Sequence, residues 1–139
     1  MRLANLKLML LPAGALAAPV AFAIEAAPQA SPVASPNVAR GGKLFLQCRA
    51  CHTVALGGAH TVGPNLAGVF GARAASRPGY RYSPSLAQSG VVWNAATLDA
   101  FLKRPSQAVP GNKMAFAGVA DARSRSDLVG YLATLKGKP

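Results

Sequence analysis

The chain has 139 residues, with 15 Lys and Arg against 4 Asp and Glu, for a formal net charge of +11. So few carboxylates, none of them paired in a motif, together with the lack of a Gly-x-Ser-x-Gly or nucleotide loop, leave no catalytic constellation. The basic residues are scattered, without a basic helix or interleaved aromatics, which argues against nucleic acid and for an acidic partner or an anionic membrane surface.

Residues 1–23 read as a secretory signal. Arg2 and Lys7 give a positive start, residues 8–20 are almost wholly apolar, and Ala21-Phe22-Ala23 fits a small-x-small cleavage site. The competing reading is an uncleaved membrane anchor, since the apolar run is near the lower length limit for a span. Either way the chain is exported, which places it in the periplasm or tethered to a membrane there. Residues 24–37, rich in Ala, Pro and Ser, read as a disordered leader. Removing Arg2 and Lys7 leaves 13 basic against 4 acidic side chains, a net +9.

Residues 38–139 form one small domain. The first predicted helix covers 38–48, with Leu44 and Phe45 on its apolar side. Gly41 and Gly42 within it cost about 1 kcal/mol each relative to Ala, so another backbone is expected to pack closely there.

The helix runs into Cys48-Arg49-Ala50-Cys51-His52, the C-x-x-C-H attachment signature of a c-type haem. On a helical turn, i and i+3 point the same way, so both sulfurs reach one edge of a flat macrocycle and His52 lies under the iron. Other readings of the pair are a thioredoxin-like motif, a zinc site and a plain disulfide. No strand pattern surrounds the motif for the first. The second needs four ligands, and Cys48, Cys51, His52 and His60 are the only Cys and His side chains.

Residues 84–89 form a short helix with Ser83 as cap, Pro84 at its first position and Gly90 at its end. Leu98, Phe101 and Leu102 mark a helix over 95–103, stopped by Pro105. Pro110-Gly111-Asn112-Lys113-Met114 is a loop. Met114 is the leading candidate for a sixth iron ligand, since Met1 and Met9 lie in the export segment. His60 is the rival, but it follows His52 too closely in sequence and is read as structural. The last helix repeats Leu128, Tyr131, Leu132 and Leu135 at i, i+3, i+4 and i+7, with Asp121 or Ser124 as its cap. The long Gly- and Pro-rich loops between helices are expected to wrap something.

With these residues assembled, the chain resembles class I monohaem cytochromes c, of the type of mitochondrial cytochrome c and bacterial cytochrome c2. The resemblance is carried by Cys48-Arg49-Ala50-Cys51-His52-Thr53-Val54, Gly63-Pro64-Asn65-Leu66, Gly79-Tyr80-Arg81-Tyr82-Ser83, Trp93, and Pro110-Gly111-Asn112-Lys113-Met114-Ala115-Phe116. It implies an all-α fold with crossing N- and C-terminal helices, where Gly41 and Phe45 meet Leu128 and Tyr131. Loops would wrap one covalent haem c, with His52 and Met114 as axial ligands. It further implies that the Pro64 carbonyl accepts the His52 ring N–H. Tyr82 and Trp93 would hydrogen-bond the buried propionate, His60 would bridge its loop to the backbone near Pro78, and Phe116 would pack near the exposed haem edge.

There are departures from the family pattern. Ala72 stands where an arginine is common, with Arg73 one residue later. Asn112 replaces a threonine, though its amide could still donate. Phe101 stands where many relatives set a tyrosine against the methionine sulfur. Ser106, Gln107 and Ala120 replace docking lysines, whereas Lys113 is retained and Arg49, Lys103 and Arg104 lie nearby in sequence. The implied function is electron transfer by a monomeric carrier between redox proteins with acidic docking surfaces. The alternative is the haem c subunit of a periplasmic dehydrogenase or oxidase complex.

Overall fold

The computed structural model describes residues 35–135 and residue 137. The expected signal at 1–23 and most of the leader at 24–37 lie outside the described residues.

Helix α1, Val38–Leu44, starts where Asn37 is extended and its side chain accepts the Arg40 N–H at 2.9 Å. It does not run unbroken to Cys48 as its pattern predicts. At Phe45–Gln47 the backbone tightens into a 3-10 turn. The Arg49 N–H is there shared between the carbonyls of Phe45 and Leu46, at 3.2 and 3.3 Å, a sharing common at helix ends. The tighter winding buries Phe45 and leaves Leu46 exposed.

Helix α2, Pro84–Gln88, follows a long helix-free stretch. The Ser83 hydroxyl accepts the Leu86 N–H at 3.3 Å, and Gly90 turns the chain away at φ +67°. Helix α3, Ala95–Lys103, has the predicted bounds. Asn94 and Thr97 cap it reciprocally: the Thr97 N–H donates to Asn94 Oδ1 at 3.0 Å and the Asn94 N–H donates to Thr97 Oγ1 at 2.9 Å. Pro105 ends α3 and also opens α4, Pro105–Ala108. The sequence pattern did not indicate α4, although proline suits a first helical position.

Helix α5, Ala122–Thr134, is capped by Asp121, which accepts the Ser124 N–H at 2.6 Å. Leu135 continues the hydrophobic period but lies outside the helix. Its carbonyl accepts the Gly68 N–H at 3.1 Å, which turns the end of α5 toward the loop at Gly68. Among the described residues the only ladder pairing is an isolated antiparallel bridge, Arg73 with Val92.

The main helix–helix contact is α1 on α5. Gly41 makes it possible: a Cβ there would sit 2.7 Å from the Asp127 carbonyl carbon and 2.8 Å from Tyr131 Cβ. Phe45 stacks against Tyr131 at 5.1 Å between ring centroids, and Leu128 is fully buried beside it. Asp127, absent from the sequence expectations, locks the crossing. Its carboxylate is buried, accepts the Asn37 N–H at 2.7 Å, pairs with the Arg40 guanidinium and lies 3.5 Å from Arg123 Nε. Burial pushes its pKa up, but the Asn37 N–H and the Arg40 and Arg123 charges outweigh that and hold it below the usual carboxylate range. Arg125, also buried, ties α5 to α3 through Asp99 at 2.7 Å and donates to the carbonyls of Val119 and Ala120 at 3.0 and 2.8 Å.

Gly41→Ala should destabilise the protein by about 1–3 kcal/mol, the usual cost of forcing atoms into a packed interface. Gly42→Ala should cost less, because its Cβ would meet only the Tyr131 ring, at 3.4 Å. Denaturant melts of the two variants check the order. A carboxylate depressed in the folded state contributes stability above its unfolded pKa of about 3.9, and that stability is lost as pH falls through the folded value. Stability should therefore fall below about pH 4, and the fall should be shallower in Asp127→Asn; acid titration by circular dichroism measures both slopes.

Candidate functional site

The turn after α1 sets the two sulfurs. The Cys51 N–H donates to the Cys48 carbonyl at 3.0 Å, and the His52 N–H donates to the same oxygen at 2.9 Å. This single turn puts Cys48, Cys51 and His52 on the wall of one cavity of about 280 Å³. Both thiols are free and half-buried. Burial, aided by nearby Cys51, pushes the Cys48 thiol up to about 11. The wall therefore favours a neutral sulfur, and a thioether is neutral.

His52 is aimed by its neighbours. Its Nδ1 lies 2.7 Å from the Pro64 carbonyl. A carbonyl only accepts, so Nδ1 carries the proton and Nε2 keeps its lone pair. Burial lowers the His52 pKa, partly countered by the Pro64 bond. Gly63 lets the ring lie flat against the backbone: a Cβ there would be 2.6 Å from Nδ1. The Gly63 N–H in turn donates to the Cys51 carbonyl at 2.7 Å, so the histidine and its acceptor loop are fastened to each other. His60 spends both ring nitrogens on backbone. Nε2 donates to the Pro78 carbonyl at 2.9 Å and Nδ1 accepts the Asn65 N–H at 3.0 Å.

The Met114 loop is stapled by Asn112. Its amide nitrogen donates to the carbonyls of Pro105 and Val109, both at 2.8 Å, and its oxygen accepts the Met114 N–H at 2.9 Å. The amide thus donates, as its replacement of threonine allows, and both of its contacts are carbonyls of its own segment. Met114 is half-buried and lines the same cavity as the cysteines and His52.

Pro64, Tyr82 and Trp93 complete the predicted set, and all line this cavity. Trp93 packs edge-on to Phe101 at 5.0 Å between centroids, and Phe101 lines the cavity along with Met114. Ala72 is buried, and Arg73 is exposed at the cavity margin. Arg77 was not anticipated. It lines the wall with its Nη2 atom buried. The sequence held one available signal, a basic residue inside the Gly- and Pro-rich loop that precedes Tyr82. Lys113 donates to the Arg81 carbonyl and holds its ammonium 4.5 Å above the Tyr80 ring, so its charge is fixed in place.

Two thiols one turn apart, an oriented imidazole, a thioether and apolar walls are a donor set that suits a covalently held macrocycle with an axially ligated metal. Among the described residues no three His, Cys, Asp or Glu side chains converge on a metal site of another kind. The family described as cytochrome c matches residues 38–136. The chain belongs to the cytochrome c family. It is 40% identical to cytochrome c2 of Rhodomicrobium vannielii over 78% of this chain and 87% of that one. It is 42% identical to cytochrome c of Kluyveromyces lactis over 67% of this chain and 86% of that one. Among solved structures, cytochrome cH from Methylobacterium extorquens matches with a TM-score of 0.67 and 40% identity, over 70% of this chain and 98% of that one. As a cytochrome c, the protein carries one covalently bound haem c and transfers electrons.

Gly63→Ala should displace the His52 ring from Pro64. The exchange-protected His52 ring N–H resonance should be lost, with destabilisation of about 1–3 kcal/mol. Proton NMR and melting of the assembled protein check this.

Proposed function

We propose that this cytochrome c is an exported electron carrier, in which Cys48 and Cys51 hold the haem by thioethers and His52 Nε2 and Met114 Sδ ligate its iron. The observation that supports this most directly is the shared cavity: both thiols, His52 and Met114 line its wall. Bound there, the haem supplies reversible one-electron chemistry.

The rest is done by the chain. Pro64 fixes the ring tautomer that leaves Nε2 as a donor, and the bond makes the imidazole more basic. Asn112 holds the loop that carries Met114 in place. With His52 and Met114 both engaged in holding the iron, substrates would be kept off it, so the protein would carry electrons and not act as an enzyme. A soft thioether favours the reduced metal and raises the potential. Tyr82 and Trp93 are assigned to the propionate side of the haem. Phe101 has no hydroxyl to donate to the Met114 sulfur.

The partners are redox proteins with acidic docking surfaces, met by a monomer through a basic rim that includes Lys113. Among the described residues no helix is long and apolar enough to cross a membrane. The working location is the periplasm, reached by cleavage after Ala23 or by retention of the first segment as an anchor, and residues 38–139 form the working domain.

Met114→Ala is the direct test of the ligand assignment. The ferric wild type should show the weak far-red thioether band at neutral pH. The variant should lose it, bind carbon monoxide when reduced, and have a lower midpoint potential. A band that persists in the variant, or is absent from the wild type, would reject Met114 as ligand.

A further inference from the structure

Gly130 sits in the interior of α5, where glycine costs about 1 kcal/mol relative to Ala. It does not line the cavity. What it accommodates is the chain just before α1: a Cβ at Gly130 would lie 2.5 Å from Pro36 Cβ.

The residues on either side of Pro36 are fastened to the same helix. The Ser35 carbonyl accepts a bond from Arg123 Nη2 at 3.1 Å, and the Asn37 N–H donates to Asp127 at 2.7 Å. Arg123 Nε also lies 3.5 Å from the Asp127 carboxylate, so one guanidinium braces both contacts. Asn37 then leads directly into α1 as its cap. The proline ring fixes one backbone torsion, which reduces the entropy lost in ordering so short a segment.

The three seating positions share one side of α5. At about 3.6 residues per turn, Arg123, Asp127 and Gly130 fall together. Leu128 and Leu132 fall on the opposite side, where they line the cavity. The seat of Ser35–Asn37 and the cavity are therefore separated by the width of the helix.

We propose that Ser35, Pro36 and Asn37 form a strap that fixes the joint between leader and domain on the side of α5 turned away from the cavity, so that a membrane holding the first segment leaves the cavity side open to redox partners. The inference rests on the covalent haem reading above, which makes the cavity side the one that exchanges electrons. Without the strap, the domain would swing about its joint and could bring the cavity side against the surface that holds the leader. The glycine at 130 gives up helix stability to seat the strap.

Ser35→Cys provides the probe, because the strap contact is made by the Ser35 carbonyl. In the assembled protein haem occupies Cys48 and Cys51, so one thiol should take a nitroxide label. In the reduced protein the label should broaden the amide resonances of residues 123–130 far more than those of residues 63–66 and 112–116. Broadening centred on the latter two segments, or spread evenly over the domain, would overturn the proposal. A polyethylene glycol chain on the same thiol should leave electron self-exchange at the wild-type rate, and a slowed exchange would count against an open cavity side. Gly130→Ala favours the helix but fills the seat of Pro36. It should keep the fold and let the Asn37 N–H exchange with solvent about tenfold faster; unchanged exchange would remove the strap. Three labelled thiols overturn both readings, whereas one labelled thiol with evenly spread broadening overturns this one alone.

Discussion

Phe45, Leu98, Phe101, Leu102, Leu128 and Leu132 belong to one packed cluster, yet every one of them also faces the cavity that holds Cys48 and Cys51. The hydrophobic core and the functional site share the same walls. Without its filler, a space of about 280 Å³ would leave these side chains with no packing partner on one side. The haem is therefore a core element as well as a redox centre. Covalent attachment keeps the filler from dissociating.

The remaining architecture positions that filler. The α1–α5 crossing sets where the cysteine turn leaves the first helix, and it depends on a missing Cβ at Gly41 and a buried carboxylate at Asp127. The long loop from His52 to Ser83 supplies Pro64, Arg77 and Tyr82 to the wall. It is held by scattered backbone bonds, such as Gly63 to Cys51 and Gly68 to Leu135, and by side chain to backbone bonds of His60 and Asn65. Asn112 plays the same part for Met114. Loops stapled in this way oppose rearrangement, which suits a protein that takes up and gives back electrons.

Much of this was legible in the residues. The C-x-x-C-H spacing pointed to the cofactor, hydrophobic periodicity located α3 and the body of α5, and Ser83-Pro84 marked the start of α2. The glycine at 41 signalled a close backbone, and the structure puts Asp127 and Tyr131 there. The misses have physical causes. Helical periodicity cannot distinguish α from 3-10 winding over a single turn, so the break at Phe45 was hidden. Pro105 reads as a stop, although it can equally open a helix. Asp127 and Arg125 look like solvated charges because sequence does not show which helix face a distant segment covers. The place of Arg77 on the cavity wall was hidden because a loop without periodicity does not show where it folds.

The central claim is that a haem fixed to Cys48 and Cys51 completes the core. It is tested most directly by extracting the denatured mature protein with acid acetone, digesting it, and weighing the fragment that contains residues 48–52. The account predicts that the fragment retains one haem through two thioether bonds. A fragment with free thiols or a Cys48–Cys51 disulfide, and no haem, would contradict it.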